Sequence, residues 1–264
     1  MEALIFLSFF FLTNAFLSVW IRRDPRIWGS LLGFSVIAAL FVGMVSWVGL
    51  LFLAALIGLW FFYKEKPNVI LFLALIVVTV CFRLHLIPGF LPVQIGGKFQ
   101  IGLIGAITGL LPLALLVPVS RSLKDWRKVL MGLLAGCIGI AILAGLATIA
   151  KATHWDFKWP SFMALRLWSN LFLTSIPEEA FYRGFVQKRL SLYCGNGAAL
   201  ILTSLLFTFT HIYWSPNLAI LAFVFLASLL YGGVYLISGK IESAILTHFL
   251  LNLIHMTFFE YHAM

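Results

Sequence analysis

The sequence predicts an all-α fold, a polytopic transmembrane helix bundle of about 8–10 spans, and three observations carry that expectation. The 264 residues are 62% hydrophobic and only 10% charged, and the mean hydropathy is +1.07. Apolar runs of near-spanning length follow one another with short polar joints. The ionisable residues that remain inside those runs fall into a few clusters rather than spreading evenly. A soluble globular domain does not have this profile. The net charge of +9 does not indicate a nucleic-acid partner, because the basic residues lie in short clusters between apolar runs, as positive-inside loops do. Membrane lipid is the expected surrounding, and the protein is expected to be integral and multi-pass, in the plasma (inner) membrane if bacterial.

The first run, Ala3 to Trp20, lacks a basic leading segment and is followed by Arg22, Arg23 and Arg26, so it reads as a retained span rather than a cleaved signal. Further runs fall near 28–44, 46–62, 69–86, 101–117, 129–150, 161–176, 198–212, 218–237 and 242–259. Ten spans would put the Arg22 to Arg26, Lys64 and Lys66, Arg121 to Lys128, Arg183 to Arg189 and Lys240 clusters on one side and only Lys98, Lys151 and Lys158 opposite. That asymmetry places both termini on the non-cytoplasmic face and the Glu178-Glu179 pair toward the cytoplasmic half. Arg83 and Arg166, in or near apolar runs, are expected to snorkel to an interface. Trp20, Trp28, Trp60, Trp126, Trp155, Trp159 and Trp214 flank runs as interfacial belts do. Gly102, Gly105 and Gly109, with Gly132, Gly136 and Gly139, recur at helical spacing suited to close helix packing. Cys81, Cys137 and Cys194 lie far apart without metal-ligand spacing and are expected to fill core space. The stretch from Leu86 to Gln100, with Pro88, Pro92 and Gly96-Gly97, reads as an ordinary connection. Residues 1–150 are expected to be transmembrane helices without a motif, and residues 151–264 to hold the chemistry.

Three polar sets interrupt the apolar runs of that second part. They are Glu178 and Glu179 with Arg183, Phe207 with His211 four residues on, and His248 with Asn252 four residues on. An ionisable group at bilayer depth costs about 2.5–3.5 kcal/mol on insertion scales, so such a cluster persists where its members satisfy one another or do chemistry. They are expected to form one site buried among the C-terminal helices. Ile176-Pro177 is expected to break the preceding span and start a helix that ends near Lys188 and Arg189, with the Glu pair at its N-terminus. On such a helix Glu179 and Arg183 share a face and can pair. Glu178 points about 100° away and is left for the chemistry. His211 closes its run ahead of a turn at Tyr213, Trp214, Ser215 and Pro216. His255 continues the face of His248 and Asn252 and is expected to support them. His85, His154 and His262 are expected to be solvated.

One carboxylate, two imidazoles and an amide support peptide-bond hydrolysis without a covalent intermediate. A Glu and a His deprotonate water, while the second His and the amide donate to the developing oxyanion. No HExxH, GxGD or GxSxG pattern is present. Glu178, His211 and His248 could instead form a zinc site with one open position, although none of those ligands share a helix turn.

The chain resembles the CAAX-protease and bacteriocin-processing membrane proteins, which include the type II CAAX prenyl endopeptidases. Their pattern is EExxxR, then FxxxH, then HxxxN or HxxxD on successive helices. Here it is Glu178-Glu179-Ala180-Phe181-Tyr182-Arg183, Phe207 to His211, and His248 to Asn252. The resemblance implies that Glu178 and His211 activate water, that His248 and Asn252 hold the oxyanion, and that no cofactor is needed. It also implies a protein or peptide substrate with a membrane-proximal cleavage site. An ion-coupled transporter and a non-catalytic immunity or scaffold protein are the other classes compatible with these residues. The transporter would predict paired repeats, which the sequence lacks.

Overall fold

The computed structural model describes residues 1–95, 99–212 and 216–261. Expectations attached to Gly96, Gly97, Lys98, Tyr213, Trp214, Ser215 and His262 lie outside the described residues. The fold is an all-α polytopic bundle with two small antiparallel strand pairs. Among the described residues, six helical segments are long and apolar enough to cross a membrane: Glu2–Ile21, Trp47–Glu65, Leu123–Ile149, Met163–His211, Leu218–Ser238 and Ile241–Phe258. Pro25–Phe41, Val69–Arg83 and Ile104–Leu115 are shorter apolar helices. The protein is therefore an integral, multi-pass membrane protein.

The chain divides into two compact units, Met1–Val117 with Phe172–Phe181, and Pro118–Leu171 with Tyr182–Met264. In the first unit α1 (Glu2–Ile21), α2 (Pro25–Phe41), α3 (Trp47–Glu65) and α4 (Val69–Arg83) are each started by local chemistry. The Asp24 carboxylate accepts from the Arg26 amide with Pro25 in the first turn, Ser46 Oγ accepts from the Gly49 amide, and Asn68 Oδ1 accepts from the Leu71 amide. The connection after α4 contains a hairpin of β1 (Val93–Ile95) and β2 (Phe99–Ile101). Helix α5 (Ile104–Leu115) is apolar all round, and Ala106, Ile107, Leu110, Leu111 and Leu113 are fully buried, so it is the core of this unit. Trp28 and Trp60 are buried in this unit as well, Trp28 stacked with Phe61 at 6.3 Å, which corrects the reading of these two as interfacial anchors.

The second unit holds α6 (Leu123–Ile149), β3 (Thr153–Trp155), α7 (Met163–Ser169), α9 (Lys188–His211), α10 (Leu218–Ser238), α11 (Ile241–Phe258) and β4 (Phe259–Tyr261), with β3 paired antiparallel to β4. A capping box of Ser122 and Asp125 starts α6. The glycine stripe of α6 lies against α10 and α11: a Cβ on Gly132 would come 2.7 Å from Ser243 Oγ, one on Gly136 would collide with Thr247, and one on Gly139 with Leu230. Leu130, Leu134, Ile138 and Ile142 form the exposed stripe of the same helix, the arrangement expected of a span with lipid on one side and close packing on the other. Cys137 and Cys194 are exposed rather than core-filling. Glu242, in the first turn of α11, is buried and accepts from the Ser120 amide at 2.6 Å and the Ser120 hydroxyl at 2.8 Å.

Candidate active site

The backbone that carries the Glu pair differs from the expectation. From α7 the chain runs without interruption through a π-helical stretch at Asn170–Ser175, α8 (Ile176–Glu179) and a second π-helical stretch at Ala180–Gln187 into α9. Pro177 therefore breaks no span, and Glu178 does not sit at a free helix N-terminus. The wider π-helical turn ahead of Pro177 relieves the clash of its ring with the carbonyl four residues back, and it absorbs the missing N–H. Lys188 and Arg189 do not end the helix either. It changes direction at Gly195, whose φ of +78° is one that a side chain rarely adopts. The runs at 161–176 and 198–212 lie on either side of this break, in two helices that meet at a kink.

In the first unit, Glu178 pairs with Arg83: Nη1 lies 3.4 Å from Oε1, with the two side chains 9% and 15% exposed for Arg83 and Glu178. Arg83 Nη2 also donates to the Pro177 carbonyl at 3.2 Å and approaches the Gly105 carbonyl at 3.4 Å, and its guanidinium stands 5.6 Å from the centre of the Phe181 ring. Arg83 does not snorkel, and Glu178 is not left without a cation. Gly109 is what lets this segment approach α5, because a Cβ there would collide with the backbone of Pro177. Glu179 belongs to the same unit and is completely buried.

In the second unit, His211 and His248 meet at one aromatic ring. Phe207 stacks on His211 with centroids 4.3 Å apart and meets His248 edge-on at 6.0 Å. Tyr231 stacks on His248 at 4.5 Å. The Arg183 guanidinium lies 4.8 Å from Phe207, 5.3 Å from Tyr231 and 5.9 Å from Tyr182, and Nη2 donates to the Ser228 carbonyl at 2.8 Å and hydroxyl at 2.7 Å. Arg183, Phe207 and Tyr231 are all buried, so the cation acts on ring faces away from water, where such contacts are worth about 2 kcal/mol.

His211 Nδ1 lies 2.7 Å from the Phe207 carbonyl. A carbonyl only accepts, so Nδ1 carries the proton, and in the neutral ring Nε2 keeps the lone pair of a base. Asn252 donates to Asn170 Oδ1 at 3.0 Å, and Asn170 in turn donates to the Phe249 carbonyl at 3.0 Å. His255 is half-buried toward the end of α11, while His85 and His154 are exposed. Sequence reasoning missed Arg83, Asn170 and Tyr231. A polar signal was available for the first two, each standing in or beside an apolar run. Tyr231 offers none apart from the stack it makes.

Among the described residues, no three His, Cys, Asp or Glu side chains are grouped so as to hold a metal ion. No curated protein and no solved structure matches the chain. Residues 159–254, which include all three polar motifs, match the family model described as type II CAAX prenyl endopeptidase Rce1-like, a description that implies a membrane endopeptidase. That match agrees with the resemblance to the CAAX-protease and bacteriocin-processing proteins carried by the three motifs.

Proposed function

We propose that the chain is a glutamate-type intramembrane endopeptidase, with residues 151–264 as its catalytic core. Glu178, acting with His211, takes a proton from water. The oxygen attacks the carbonyl carbon of the scissile peptide, and His248 and Asn252 donate to the oxyanion that forms. Collapse of that intermediate breaks the C–N bond, and the proton held by the Glu178 and His211 pair passes to the departing amine. The hydrogen bond from His211 Nδ1 to the Phe207 carbonyl carries this reading, because it leaves Nε2 as the only nitrogen of that ring able to accept a proton. The stacks of Phe207 on His211 and Tyr231 on His248 support it by limiting rotation of both rings. The second N–H of the Asn252 amide is the one assigned to the oxyanion, the first being committed to Asn170. Donors of this kind are worth about 10²–10³ in rate each.

The substrate class that accords with the family is a protein or peptide cleaved close to its membrane attachment, a prenylated CAAX tail being the first to try. No metal is assigned a role. The test uses the full chain in liposomes with a farnesylated, internally quenched peptide ending in a CAAX box, with and without a chelator. Glu178→Ala is expected to abolish cleavage, and the chelator to change nothing. Cleavage that survives Glu178→Ala would remove the carboxylate mechanism, and cleavage lost to the chelator would restore zinc.

A further inference from the structure

We infer that Arg83 is a positioning residue for the carboxylate of Glu178, an inference that rests on the role proposed for Glu178 above. Arg83 ends α4 and lies outside residues 159–254, so no motif of the matched segment assigns it a task. Its guanidinium divides its work. Nη2 is turned toward two main-chain carbonyls, Pro177 and Gly105, on two different elements of the first unit, while Nη1 faces Glu178 Oε1. The carbonyls orient the guanidinium plane independently of the carboxylate, and Phe181 flanks it. A planar fork held in this way presents Nη1 in one direction only, and so fixes the direction of a carboxylate that would otherwise rotate about three side-chain torsions. Glu178 follows Pro177 directly, so Arg83 holds both the backbone that carries the carboxylate and the carboxylate itself. A lysine would keep the charge but would reach these three acceptors with a single nitrogen on a flexible stem.

The experiment compares wild type, Arg83→Lys, Arg83→Met, Glu178→Gln and the double variant Arg83→Met with Glu178→Gln. Each is the full chain in liposomes, assayed with the farnesylated CAAX peptide and by thermal unfolding. A misplaced reacting group typically costs about 10²-fold, so Arg83→Met is expected to lower kcat by about that factor at unchanged KM, with Arg83→Lys recovering about tenfold. The double variant is expected to be no slower than Glu178→Gln, because both changes act through one group, and to unfold at a higher temperature than Arg83→Met, because no carboxylate is left facing a missing cation. If Arg83→Met gives no folded protein, Arg83→Lys decides: a lowered kcat with the unfolding midpoint kept supports positioning, and a wild-type kcat overturns it. Wild-type kcat in both Arg83 variants while Glu178→Gln is inactive, a loss that falls on KM alone, or additive unfolding midpoints would overturn the inference and leave the role of Glu178 standing. Wild-type cleavage by Glu178→Gln would remove that role itself.

Discussion

The carboxylate and the imidazoles are held by the same device on different terms. Glu178 follows Pro177, whose backbone lies against Gly109 of α5 in the first unit; His248 follows Thr247, whose side chain lies against Gly136 of α6 in the second. Each unit also supplies an inward-turned arginine, Arg183 fully buried and the Arg83 side chain 9% exposed. Arg83 faces Glu178 directly, whereas Arg183 faces the rings of Phe207 and Tyr231 that stack on the two histidines. The difference follows from charge. A carboxylate away from bulk water needs a cation within reach, whereas an imidazole ring packs on aromatic faces.

Breaking the cation of the second unit should have the largest effect. Arg183→Met takes the donor from the Ser228 carbonyl and hydroxyl and the charge from three rings, all in a fully buried position. Removing one member of such a buried network costs about 3–5 kcal/mol, so folded yield and the unfolding midpoint in detergent should both collapse. A variant that folds normally would show that the rings need no cation.

The two glycines sharpen the comparison. An alanine Cβ at Gly109 would meet Pro177 Cα and the carbonyl oxygen, which are main-chain atoms of a helix and cannot swing aside. Overpacking of this kind costs about 1–3 kcal/mol, and the shift passes to the next residue, Glu178, so kcat should fall by about 10²-fold. Gly136→Ala meets only the Thr247 side chain, which can rotate at the expense of its hydrogen bond to the Ser243 carbonyl at 2.8 Å. A loss of about 1 kcal/mol and a smaller drop in kcat are expected. Parallel unfolding curves and single-turnover rates for the two variants check the order, and a reversed order would mean that backbone and side-chain contacts do not set the difference.

Much of this was legible in the sequence, and what was hidden has a common cause. The membrane class follows from composition, and the Glu, His and Asn sets stand out because polar residues are rare in apolar runs. The glycine stripe at 132, 136 and 139 announced close packing, which the structure bears out. Arg83 was misread because its acceptor at Pro177 lies 94 positions away, and an arginine at the end of a span looks the same whether it turns outward or inward. Asn170 meets Asn252 across 82 positions, inside a π-helical stretch that no local pattern signals. Pro177 obeys its steric rule but escapes the usual outcome, because the preceding turn widens instead of ending.

The smallest expected effect gives the reference for the other two glycines. Gly145 stands on α6 two and a half turns beyond Gly136, on the exposed part of the helix, and a Cβ there would meet nothing within 4 Å. With no neighbour to displace, Gly145→Ala leaves only the intrinsic preference for helix, which favours alanine by up to about 1 kcal/mol. Its unfolding midpoint should hold or rise slightly, and its kcat should match wild type, since an added Cβ displaces no described atom. If Gly145→Ala instead lost as much as Gly136→Ala, glycine would be serving α6 through backbone flexibility along its length. The seat of Thr247 on Gly136 would then no longer explain how His248 is held.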